Sequence, residues 1–136
     1  MKEIIAVVRM NKTSATKKAL IECGAAGFTA MKVLGRGKVI EDKSLIASRK
    51  ADMMELALGG DAKEAETLID GFLDGHRLFP RRMFQVIAKD QDVDSIIQAI
   101  MTANRTEHKV GDGKIFVLPI ADVVRVRTAE RGEAAL

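Results

Sequence analysis

One order of hydrophobic patterns occurs twice in the chain, and that duplication constrains the fold more than any other feature. In the first copy, Glu3–Arg9 is a short β-branched run bounded by charge, the pattern of a buried strand. A helix follows, with Asn11 or Thr13 as its cap, Ala15, Ala19, Leu20 and Cys23 along one face, and Gly24 placed as its C-terminal stop. Phe28–Leu34 is then a second strand. In the second copy, Met83–Ala88 reads as strand and Asp92–Asn104 as a helix with Val93, Ile96, Ile97, Ile100 and Met101 inward. Lys114–Leu118 closes it as strand. Two βαβ units in one chain predict a ferredoxin-like α+β sandwich, an antiparallel sheet carrying both helices on one face.

A further strand is expected over Val123–Arg127, where alternation puts Arg125 and Arg127 on one face and Val124 and Val126 on the other. Such an arginine pair is either an exposed sheet face or, with both guanidiniums aimed one way, a bidentate clamp for phosphate. Between the two copies lies Gly35–Phe79, too long for an ordinary connection in a compact domain. The chain thus reads as a single domain, residues 1–136, with 35–79 inserted in it. The insertion is not uniformly polar. Asp61 can cap a helix with Glu64 three residues on, followed by Ala65, Leu68, Ile69, Phe72 and Leu73 at helical spacing. Ala51–Leu58, "ADMMELAL", is also helix-permissive and rich in methionine, which adapts to irregular surfaces. A helical hairpin packed on its own domain and a partner-binding arm both fit.

With 136 residues, 47% of them hydrophobic, the chain can bury one real core. Its net charge of +3 comes from 22 Lys and Arg interspersed with 19 acids rather than from one basic run. Trp and Tyr are absent, so base-stacking platforms are scarce and nucleic acid is not an expected partner. Cys23 is the only cysteine, which excludes an internal disulfide. The apolar run in "MKEIIAVVRM" is too short for a signal segment or a bilayer span, and a cytoplasmic protein without membrane insertion is expected. His76 and His108 lack Cys or His partners at metal spacing and are assigned to no metal. No Ser-His-Asp set or paired-carboxylate pattern stands out, so a binding or regulatory protein is preferred over a phosphoryl-transfer enzyme.

The string "KVGDGKIFV", Lys109–Val117, bears on that preference. Asp-Gly is ordinary hairpin chemistry, and on local grounds a plain hairpin is the commoner reading. Glycines also let backbone approach a ligand, and consecutive amides completed by the Lys114 charge would form a concavity for phosphate.

These pieces together resemble the PII signal-transduction family over nearly the whole chain outside the insertion. "MKEIIAVVRMNKTSATKKALIECG" is similar to its opening strand and helix, "FTAMKVLGRG" to the strand entering the T-loop, and "LFPRRMFQVI" to the strand leaving it. "KVGDGKIFVLPIADVVRVRTAERGEAAL" is similar to the second family signature and the C-terminal segment. "VLGRGK" and the oversized T-loop resemble the NifI branch, the nitrogen-fixation PII proteins, and in particular the second of its two paralogues.

The resemblance implies a non-enzymatic nitrogen regulator, as a homotrimer or a mixed assembly with a PII paralogue. It implies ATP or ADP in clefts between subunits, sensing of 2-oxoglutarate, and T-loop docking that inhibits dinitrogenase until 2-oxoglutarate and ATP relieve it. The alternative is a general PII regulator of an ammonium transporter or glutamine synthetase. By the same resemblance Gly111, Asp112, Gly113 and Lys114 hold phosphates, Arg125 and Arg127 reach them across the cleft, and Thr29 and Thr106 lie near base and ribose. Gly35, Gly37 and Lys38 form the loop base, and Arg81, where the family usually has lysine, sits near the 2-oxoglutarate carboxylates. Mg2+ would accompany the nucleotide, although Val39 replaces the glutamine that in many members helps bind Mg-ATP.

Overall fold

Alternation in KEIIAVVR turns Ile4, Ala6 and Val8 to one side of a strand, and that side is buried along β1 (Lys2–Arg9). The computed structural model describes residues 1–37, 78–107 and 111–136. Among these, β1 is followed by α1 (Thr13–Glu22), β2 (Phe28–Gly35), β3 (Phe79–Ala88), α2 (Val93–Asn104) and β4 (Lys114–Pro119), with 3-10 turns at Met10–Lys12, Asp90–Asp92 and Gly132–Ala135. The strand β1 pairs antiparallel with β3, from Lys2 opposite Ala88 to Arg9 opposite Arg81. On its other edge it pairs antiparallel with β4, from Lys2 opposite Pro119 to Val7 opposite Lys114. The sheet order β2-β3-β1-β4 is that of the expected ferredoxin-like α+β fold.

The core lies on one face of this sheet. Ile4, Ala6 and Val8 meet Phe84, Val86 and Ala88 of β3, and Leu20 of α1 with Ile96 and Ile100 of α2 cover them. Phe28 packs its edge against Phe84 at 5.9 Å between ring centroids. The inner stripe of α2 is as expected, with Asn104 added at its end. That of α1 is not: Ala15 is exposed and Thr16 is fully buried. Burial of Thr16 is tolerable because its hydroxyl donates to Lys12 O at 2.8 Å and accepts from Asn104 Nδ2 at 2.8 Å, joining the helices through a polar bridge in which the Thr16 hydroxyl is satisfied and Asn104 Oδ1 has no partner among the described residues. Neither Asn11 nor Thr13 caps α1; the preceding 3-10 turn runs into it, and the Thr13 hydroxyl donates to Met10 O at 2.7 Å. Gly24, at φ +80°, is the expected left-handed stop.

The strand β3 begins four residues before the expected Met83, since Pro80 sits near its start, where a missing N–H is tolerated. The strand expected over Val123–Arg127 does not form. Val124 makes one isolated bridge, to Arg131, and residues 126–128 turn. Local bonds win there: Arg125 N–H donates to Glu130 O at 2.9 Å, Gly132 N–H to Val123 O at 3.0 Å, and Asp122 Oδ1 accepts from the Val123 and Gly132 amides. Arg125 and Arg127 consequently share no strand face.

The helix-free side of the sheet carries Ile5 and Val7 of β1, Met83 and Ile87 of β3, and Phe116 and Leu118 of β4, the last two 48% and 40% exposed. The chain divides into two units, Met1–Leu34 with Pro80–Leu136, and Gly35–Phe79. The helices expected at 51–58 and 61–73 lie outside the described residues, as do Lys38, Val39, His76 and His108. Among the described residues no helix is long and apolar enough to cross a membrane.

Phe84, 1% exposed, lies at the centre of this packing. Phe84→Ala should cost about 3–5 kcal/mol in urea denaturation, whereas Ala15→Ser should stay within about 0.5 kcal/mol of wild type. A loss below about 1 kcal/mol at Phe84 would contradict the core assignment.

Candidate functional site

The glycine turn before β4 is shaped by φ and by space. Gly111 and Gly113 adopt φ +95° and +121°, where side chains rarely sit. A Cβ on Gly113 would approach Val7 O to 2.4 Å, so the turn lies directly on the β1 backbone. That contact delivers the next residue, Lys114, to its place opposite Val7.

Arg9 at the end of β1 holds the turn from the side. Its Nε donates to Gly111 O at 2.8 Å, and its Nη2 lies 3.1 Å from Asp112 Oδ1. Asp112 is gripped from the α2 side as well: Thr106 N–H donates to Oδ2 at 3.0 Å and the Thr106 hydroxyl to Oδ1 at 2.6 Å. The carboxylate thus accepts bonds from both flanks of the turn. Facing outward are the glycine backbone and the exposed Lys114 ammonium, which makes no ion pair among the described residues. Strand alternation sets Lys114 on the helix-free face with Phe116 and Leu118. On the helix side a groove of about 370 Å³, walled by Val8, Ile97, Met101, Ile115 and Val117, includes Asp112, Gly113 and Lys114 of the turn in its lining.

Arg81 stands opposite Arg9 in the β1–β3 ladder, on that same helix-free face. Its pKa is lowered, first by burial and second by the charge of Arg9. No acid pairs with it among the described residues. Arg9, Arg81 and Lys114 therefore bring three cations to one end of the sheet beside the Asp112 carboxylate. Their charge makes this end attractive to an anion.

The remaining expected site residues lie elsewhere. Thr29 lines a cavity of about 400 Å³ with Phe28, Gln85, Ile87 and Leu136. Arg125 pairs with Glu130, and its Nη2 donates to Ala134 O at 3.1 Å and Leu136 O at 3.0 Å. Arg127 is exposed in the turn that follows. Ile87 is opposite Glu3, and Pro119, which precedes the arginine segment, is opposite Lys2. The five residues separating Lys114 from Pro119 span about 17 Å of extended strand. Thr29 and the start of the arginine segment accordingly sit at the end of the sheet away from the glycine turn. Gly35 ends β2, and neither it nor Gly37 has a positive φ. Sequence reasoning missed Arg9, whose only local signal is a charge closing an apolar strand.

A family model for nitrogen regulatory protein P-II matches residues 1–130. The chain belongs to the P-II family. It is 43% identical, over all of both chains, to the nitrogen fixation nifHD region glnB-like protein 2 of Methanococcus maripaludis. To the nifHD1 region GlnB-like protein 2 of Methanosarcina barkeri it is 37% identical, covering 100% of this chain and 99% of that one. Among solved structures, Arabidopsis thaliana PII bound to citrate is similar, with a TM-score of 0.64 and 28% identity over 98% of this chain and 87% of that one. These relatives place this P-II chain with nitrogen-regulatory proteins, and with the second GlnB-like protein of nitrogen-fixation regions in particular.

The turn geometry has a direct test in the P-II chain. Gly113→Ala combines a positive φ with a backbone clash and should destabilise the fold by at least about 1–3 kcal/mol, while Gly37→Ala should be near neutral. Urea midpoints measure both, and a silent Gly113→Ala would refute the close approach to Val7.

Proposed function

We propose that this P-II chain is a nitrogen regulator that binds ATP or ADP, senses 2-oxoglutarate, and controls nitrogen fixation by docking residues 35–79 on dinitrogenase. The observation that carries the reading is the gathering of Arg9, Arg81 and Lys114 beside the glycine turn at one end of the sheet. Phosphates would lie against the turn backbone and the Lys114 ammonium. A dicarboxylate suits Arg81, a half-buried guanidinium with no acid beside it among the described residues. That the Arabidopsis relative is bound to citrate is in keeping with such chemistry.

Arg125 and Arg127 would complete the phosphate site from a second copy. The arginine segment leaves the sheet at the end remote from the glycine turn, so the two halves meet most simply when copies close into a ring, here a trimer or a mixed assembly with a paralogue. The apolar helix-free face, with Ile5, Phe116 and Leu118, supplies the surface such a ring would bury. Arg125 would have to leave Glu130 to reach a phosphate. Among the described residues no cluster of three His, Cys, Asp or Glu is set to hold a metal, so Mg2+ would rest chiefly on the nucleotide's own oxygens.

Charge-assisted bonds contribute about 1.5–3 kcal/mol each, so Lys114→Ala should weaken ATP binding roughly ten- to hundredfold by calorimetry. Wild-type affinity in the folded variant would remove the turn from the site. For the output, the apolar residues Met53, Met54, Leu56, Leu68, Ile69 and Phe72 are available as anchors within the inserted segment. Deleting residues 51–73 should abolish inhibition of dinitrogenase while leaving ATP binding intact. Persistent inhibition reversed by 2-oxoglutarate would show that another surface is the effector.

A further inference from the structure

We propose that Arg9 is the positioning residue of the glycine turn, setting its affinity for phosphate through Gly111 and Asp112 without touching the anion itself. The inference rests on the reading above that the turn receives the phosphates, and adds to it a residue that the glycine motif does not contain.

Two different N–H groups of one guanidinium reach two successive residues of the turn: Nε binds Gly111 O at 2.8 Å and Nη2 meets Asp112 Oδ1 at 3.1 Å. The planar fork therefore fixes the direction of the Gly111 carbonyl and the Asp112 carboxylate together, which a lysine ammonium as a point charge cannot do. The site is tight. A Cβ on Gly111 would lie 3.1 Å from Arg9 Nη2, so the guanidinium lies close against the turn backbone. Arg9 is itself placed by the ladder, because its residue pairs with Arg81 and only Val8 separates it from the Val7 carbonyl on which Gly113 rests.

The bonds from Thr106 hold Asp112 from the opposite side. Without them and Arg9, an ionised carboxylate in the middle of the turn would repel an incoming phosphate. With them, its charge is directed into the protein and partly neutralised, and the Lys114 ammonium faces the ligand. Arg9 thus acts on the anion by disposing of Asp112 and by holding a backbone that needs two positive φ values in one conformation.

The test titrates the assembled full-length protein with ATP, ADP and inorganic tripolyphosphate by calorimetry, using Arg9→Gln, Arg9→Lys, Asp112→Asn, Thr106→Val and Lys114→Ala. Arg9→Gln should weaken all three ligands roughly tenfold, leaving the ratio of ATP to ADP affinity unchanged, and Arg9→Lys should recover only part of the loss. Combined with Asp112→Asn it should weaken binding by less than the product of the single effects, whereas with Lys114→Ala the effects should multiply. If Arg9→Gln does not fold, Thr106→Val carries the test and should weaken binding with the same unchanged ratio.

A direct contact would instead make the Arg9→Gln effect multiply with Asp112→Asn, and one to the terminal phosphate would also weaken ATP more than ADP; either result overturns the proposal. Weakened binding in Lys114→Ala with wild-type binding in Arg9→Gln overturns the role of Arg9 alone. Wild-type binding in both overturns the phosphate assignment with it.

Discussion

The double pairing of β1 is the constraint on which the rest of the structure depends. Hydrogen-bonded to β3 on one edge and β4 on the other, this strand cannot slip by one residue without exchanging its two faces. Its inward residues, Ile4, Ala6 and Val8, are the floor of the core. Its outward residues Ile5 and Val7 belong to the helix-free face, the Val7 carbonyl is the seat of Gly113, and Arg9 grips Gly111 and Asp112. Core, open face and glycine turn are consequences of one register.

Helices on a single side leave the sheet with an apolar surface that a solitary chain does not hide among its described residues. The cationic turn and the arginine segment leave the sheet at opposite ends. Both features suit the proposed association with further copies, which would cover the open face and bring an arginine segment to a neighbour's turn. The oxygen-rich environment that Arg125 occupies within its own chain, the Glu130 carboxylate and two backbone oxygens, is itself an indication of what that guanidinium binds.

The strands and α2 were legible in the sequence because alternation and helical spacing report a buried face directly: β1, β2 and β4 begin or end within one residue of the expected bounds. What could not be read locally depends on distant partners. Thr16 is buried in place of the more apolar Ala15 because Asn104, 88 positions on, satisfies its hydroxyl. Arg9 binds Gly111 across 102 positions, and no spacing rule joins the two. The Val123–Arg127 segment has a strand's alternation, yet Asp122 and the turn after Arg125 satisfy its backbone first. In the glycine turn the string announced positive φ and a nearby lysine. It could not announce that Thr106 and Arg9 both hold Asp112, because that pairing exists only once α2 and β1 are packed.

Subunit mixing tests the central claim, a phosphate site shared between copies, most directly. Lys114→Ala and Arg125→Ala chains, each deficient in ATP binding alone, are denatured together and reassembled, and tight ATP sites are counted by calorimetry. Random assortment in a ring should restore wild-type affinity at roughly a quarter of the sites, since only some interfaces receive an intact half from each chain. If no tight site appeared although mixed assemblies had formed, both halves would belong to one subunit and the account would be wrong.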